Sequence, residues 1–126
     1  MERFLVLAGA LLMMLAVGAG AFGAHALSGY FQRYPNYESI YATAVRYHMI
    51  HGLALFVVAF AMTRYDATGL LTAAGWLIIA GLLLFSGSLY LMVATRLSWL
   101  GAITPLGGVA FIGGWAALFV AAWRAG

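Results

Sequence analysis

The chain contains no cysteine and no lysine, and its only acidic residues are Glu2, Glu38 and Asp66. Without thiols there is no disulfide framework, no Fe–S cluster and no cysteine-based zinc site. Any metal would have to take His, Met, carboxylate or carbonyl ligands. Charged residues make up 7% of the sequence, whereas an ordinary soluble domain carries about a quarter. Six basic and three acidic residues cannot solvate the surface of a 126-residue soluble fold in which 66% of residues are apolar. The apolar excess must face lipid.

The six cations are all arginine, placed singly at positions 3, 33, 46, 64, 96 and 124. Nucleic-acid binders gather their basic residues on a face or in a run, so no nucleic-acid partner is expected. Isolated arginines between apolar runs flank membrane spans. Catalytic motifs are also missing. There is no acidic pair, nucleophile elbow, phosphate loop or metalloprotease helix motif, and the scattered glycines do not form a nucleotide fingerprint. An enzyme is therefore the least expected reading.

What is present is four long apolar runs. They predict an all-α membrane protein, a four-helix antiparallel transmembrane bundle forming one domain over residues 1–126, with helices at about 4–26, 37–62, 70–94 and 103–123. The first run resembles a signal peptide, with Ala24-His25-Ala26 imitating a cleavage site, but 24 apolar residues are long for one, so it reads as the first span. Pro35 breaks the first connection, and Asn36 or Ser39 is a candidate cap for the second helix. Pro105 suits the first turn of the fourth, where its missing N–H costs nothing. The short connections require consecutive helices to be antiparallel neighbours.

Small residues recur at packing intervals. The expected close-approach stripes are Ala16, Gly20 and Ala24 in helix 1, and Ala73, Ala80, Gly87 and Ala94 in helix 3. In helix 4 the stripe is Gly107, Ala110, Gly114, Ala117 and Ala121. Tyrosines 30, 34, 37 and 41, with Trp76, Trp99 and Trp123, mark the interfaces. Trp115 falls near mid-membrane, where its indole N–H needs a partner.

Helix parity places the unusual polar residues together. Helices 1 and 3 end at the face opposite the N-terminus, where helices 2 and 4 begin. That half holds His25, Arg46, Tyr47, His48, His51, Ser86, Ser88, Tyr90 and Thr104. Ionisable groups within a span are costly and commonly mark function. His48 and His51 are three residues apart and share one helix face. Arg46 has no acid three or four residues away on its own helix, so it must reach Glu38, a lipid phosphate or the carbonyl ends of other helices. The set is a candidate ligand site. His51 is expected to face the bundle interior and to pair with the end of helix 1 or the Ser86–Tyr90 stretch. Should a metal bind, His25 and His51, then His48, are its candidate ligands.

At these helix ends the sequence resembles a family of small four-helix membrane proteins of unknown function, which includes bacterial YgdD and YwdK and animal transmembrane protein 256. The resemblance rests on Gly20-Ala-Phe-Gly-Ala-His25-Ala-Leu27, Tyr47 with His51, Phe85-Ser-Gly-Ser-Leu-Tyr90, and Thr104-Pro-Leu-Gly-Gly108 running on to Gly114-Trp115. It covers all four helices. It implies a bacterial inner (plasma) membrane or mitochondrial setting and supplies no activity and no cofactor. Members of that family often carry Gln in place of His48, which leaves His25 and His51 as the family-level candidates.

The leading expectation is a non-enzymatic accessory, scaffold or assembly partner, working as a homo-oligomer or with another membrane protein. The alternatives are a binder of quinone, haem, metal or a lipid head group at the polar cluster, and an oligomeric transporter or channel. Side A, the face of the N-terminus, carries Arg3, Arg64 and Arg124, against Arg33 and Arg96 on side B when Arg46 is counted within a helix. This favours cytoplasmic termini.

Overall fold

The computed structural model describes residues 1–126, all helix and short connections. Helix α1 spans Glu2–His25. A short helix α2, Ser28–Arg33, occupies the first connection. Helix α3 runs Asn36–Arg64, starting directly after Pro35 with no side-chain cap. The third span is composite: α4 (Thr68–Gly81), a π-helical turn (Leu82–Ser86) and α5 (Gly87–Thr95). A 3₁₀ turn, Ser98–Ala102, leads to α6, Thr104–Ala125, with Pro105 in its first turn. Four stretches are long and apolar enough to cross a membrane: Glu2–His25, Asn36–Arg64, Thr68–Thr95 and Ser98–Ala125. The shortest, at 24 residues, reaches about 36 Å, enough for a hydrocarbon core of roughly 30 Å.

Contacts run antiparallel along the bundle. Gly9 of α1 meets Gly52 and Phe56 of α3, whereas Gly20 meets Val45. Gly114 of α6 meets Ala74 and Ile78, whereas Gly107 meets Phe85. Both termini therefore lie on one face. The second and third spans form the centre: 44% of the most apolar stretch of each is buried, against 17% for the first span and 22% for the fourth. Only 29 of 126 residues are buried, because most of the outer surface is apolar and lipid-directed, with Leu83, Val109, Ile112, Phe119 and Trp123 all exposed.

Lipid is as apolar as leucine, so close packing and interhelical hydrogen bonds must hold the helices. The side-A half has an apolar core of Leu5, Leu55, Val58, Leu71 and Ile78 among others, which reaches Phe111 below His51. The α6 stripe packs directly on neighbouring backbone. A Cβ at Gly107 would stand 2.3 Å from the Phe85 backbone nitrogen, so only glycine lets α6 approach the π turn.

The expected stripe in helix 3 does not form the interface. Ala73 and Ala94 are exposed, and the buried face is Leu71, Ala74, Gly75, Ile78 and Gly81. The stripe misses the buried face already within α4, where Ala73 lies between the buried Leu71 and Ala74, and the wider repeat of the π turn then turns α5 relative to α4. In α1, Ala16 is buried but Ala24 is exposed, and Leu5 and Gly9 complete the inward face. Helix α5 ends at Arg96, in the left-handed region (φ 59°) where glycine is usual. The Arg96 side chain donates to the Tyr34 hydroxyl, tying the two side-B connections together.

Candidate functional site

The side-B half is built on one stretch of α3. Ala44, His48 and His51 face inward and are buried. Arg46 is two residues from His48, about 200° around the helix, and is exposed.

His51 is held from two sides. Its Nδ1 lies 2.9 Å from the Tyr47 carbonyl one turn back, and the Trp115 indole N–H donates to its Nε2 at 3.1 Å. A carbonyl can only accept and an indole N–H can only donate. The ring is therefore the neutral tautomer with its proton on Nδ1. It stacks on Phe111 with centroids 3.5 Å apart. His51 thus pairs with α6, rather than with the end of helix 1 or with Ser86–Tyr90.

Ser86, at the end of the π turn, donates to the Ala44 carbonyl at 2.9 Å. Ser88 lies 2.7 Å from the Thr104 hydroxyl and donates to the Phe85 carbonyl at 2.9 Å. A serine has one proton, so Thr104 is the donor in their shared bond. These bonds tie α3 to the π turn, and α5 to the start of α6. Two further ties come from residues the sequence marked only as interfacial aromatics: Tyr41 donates to the Ala19 carbonyl of α1, and Tyr30 to the Val93 carbonyl of α5. Nothing in their spacing announces those acceptors.

His48 differs. Its Nδ1 is 2.9 Å from the Tyr90 hydroxyl and the ring also faces the Leu12 backbone of α1, but Nε2 is buried and makes no hydrogen bond of good geometry. The ring lines a cavity of about 160 Å³, together with Leu12, Leu82, Ser86 and Tyr90.

The remaining candidates do not join this network. His25 sits exposed in the last turn of α1. No three His, Cys, Asp or Glu side chains come together as a metal group. The set His25, His51 and His48 is thus corrected: parity puts all three on the same half, but His25 lies on the outside of the bundle, and both nitrogens of His51 are engaged. Arg46 and Glu38 both stand exposed and do not pair; the protein's one ion pair joins the N-terminal amine to Glu2 at 3.5 Å.

The pattern of the family described as "Protein of unknown function (DUF423)" matches residues 19–108, the stretch that carries most of this network. The chain is 54% identical to the UPF0382 membrane protein YwdK of Bacillus subtilis over 123 residues, 97% of each protein. It is 47% identical to a UPF0382 membrane protein of Staphylococcus aureus strain USA300 over 124 residues, 98% of each. No solved structure matches it. With four spans and this match across nearly its whole length, the chain is a multi-pass membrane protein that belongs to the DUF423 family of unknown function.

Proposed function

We propose that this protein is a non-enzymatic membrane accessory, a small four-span scaffold or assembly partner of the bacterial plasma membrane with both termini in the cytoplasm. The observation that carries this reading is where the side-B hydrogen bonds go. Ser86, Ser88, Thr104, His51, Trp115, Tyr30 and Tyr41 bond one another or a neighbouring backbone. Groups satisfied in this way fix helix register and are not free to act on a substrate. The broad apolar flanks of α1 and α6 remain for lipid or for another membrane protein. Cytoplasmic termini follow from three side-A arginines against two on side B, with Arg46 inside α3.

One observation favours a second reading, a small-ligand binder: the unpartnered His48 Nε2 beside its cavity. Extraction of the tagged chain from its own membrane into polymer-bounded discs separates the two. The accessory reading expects an assembly heavier than the 13.4 kDa chain and no cofactor absorbance. A lone chain carrying a stoichiometric small molecule, lost in His48→Leu, would replace it with the second.

A further inference from the structure

Arg46 is the one cation deep within a span. It lies five residues, about 7 Å, on the side-B side of His51, and the His51–Trp115 pair sits near the middle of both helices. An arginine at such depth costs several kcal/mol unless it finds an anion or reaches the interface. No acid in the fold pairs with it. Glu38 is eight residues earlier on α3, roughly 12 Å along the axis, at the level of the tyrosine belt. It too stands without an ion pair. Both charges line one groove of about 430 Å³ between α1 and α3.

Small α1 residues open that groove. Gly20, Gly23 and Ala24 form one wall, and Val45 and Met49 form the apolar floor below Arg46. Tyr41 closes the inner side, held by the Ala19 carbonyl; a Cβ on Gly23 would stand 2.2 Å from its ring. The groove is therefore apolar in depth, cationic at mid-height and anionic at its mouth. Its volume is in the range that holds one ligand chain.

We propose that this groove binds a phospholipid whose head group is a phosphate monoanion bearing a primary ammonium, as in phosphatidylethanolamine. The phosphate pairs with the Arg46 guanidinium, which reaches up from a backbone position within the span. The ammonium donates to the Glu38 carboxylate, and an acyl chain lies along Val45 and Met49. The order of charges selects the lipid. A net anionic head group, as in phosphatidylglycerol, would satisfy Arg46 and be repelled by Glu38. A choline head group carries no N–H to donate to the carboxylate. The inference is independent of the accessory reading, since a lipid held between α1 and α3 is compatible with a scaffold or a ligand binder.

Native mass spectrometry of the full chain tests it, after delipidation and addition of equimolar ethanolamine, glycerol and choline phospholipids with identical acyl chains. Wild-type protein is expected to retain the ethanolamine lipid above the other two. Arg46→Gln should weaken retention of all three by about tenfold, the loss of one charge-assisted contact. Glu38→Gln, an exposed change that leaves the bundle intact, should keep binding but erase the preference for ethanolamine over glycerol lipid. Arg33→Gln, outside the groove, should match wild type. Free phosphoethanolamine should not displace the lipid. The proposal is overturned if wild type ranks the glycerol or choline lipid first, if folded Arg46→Gln and Glu38→Gln retain and rank lipids as wild type does, or if soluble phosphoethanolamine competes. Should Arg46→Gln fail to fold, the selectivity of Glu38→Gln alone decides.

Discussion

The Trp115 indole donates its N–H to Nε2 of His51, 3.1 Å away, near the middle of the membrane-spanning bundle. This bond ties α6 to α3, beside the stacking of His51 and Tyr47 on Phe111. It also fixes the histidine tautomer, because Nε2 must offer a lone pair. With ¹⁵N-labelled histidine, the His51 spectrum should show a neutral ring protonated at Nδ1. Trp115→Phe should free Nε2 and alter that spectrum. A ring protonated at Nε2 in the wild type would contradict the geometry.

Glycine substitutions should divide by place. Gly107→Ala puts a methyl against the Phe85 and Leu84 backbone, at 2.3 and 2.8 Å, where no side chain can yield. Destabilisation of about 3 kcal/mol or more is expected, at the upper end of overpacking costs. Gly18→Ala meets nothing within 4 Å and should be neutral or slightly stabilising. Unfolding in mixed micelles measures both. Equal effects at the two sites would remove the α6 seam from the account.

How much of this was legible in the sequence differs by helix. The α6 stripe was: Gly107, Gly114 and Ala121 are all buried. The third span was not: the small-residue spacing already misses the buried face of α4 at Ala73, and no residue type in the π turn at Leu82–Ser86 signals a widened helix. The need of Trp115 for a partner could be read from its depth, whereas the identity of that partner depends on how far α6 turns about α3. Parity assigned His25 to the correct half but carries no information about its facing, and α1 ends with that side chain outside. Arg46 was legible as an arginine with no acid three or four residues away on its own helix, and the fold supplies no ion-pair partner for it.

The π turn itself makes a prediction. It accommodates one more residue than an α-helical turn, and Leu83 in it is 69% exposed. Deleting Leu83 should convert the segment to regular α-helix while leaving α4 and α5 in phase with their neighbours. Deleting exposed Leu91 from α5 instead should rotate everything after it out of register. Folded yield and melting temperature should favour the first deletion clearly. The reverse order would mean that the π turn is not a single-residue insertion.

Topology follows from four antiparallel spans and the arginine count. Reporters fused at the two termini should give the same compartment. A cysteine at exposed Ser28 should label from outside intact cells when the termini are cytoplasmic. Labelling only after lysis would invert the orientation without changing the fold.

The polar half of the bundle is a set of interhelical ties. The most direct measurement is a double-mutant cycle on His51→Leu and Trp115→Phe, read by reversible unfolding in a bilayer-like medium. A favourable coupling of about 0.6 kcal/mol, and no more than about 1.7, is expected, the mean and maximum found for interhelical hydrogen bonds in membranes. Additive single-mutant effects, with no coupling between the two positions, would contradict it.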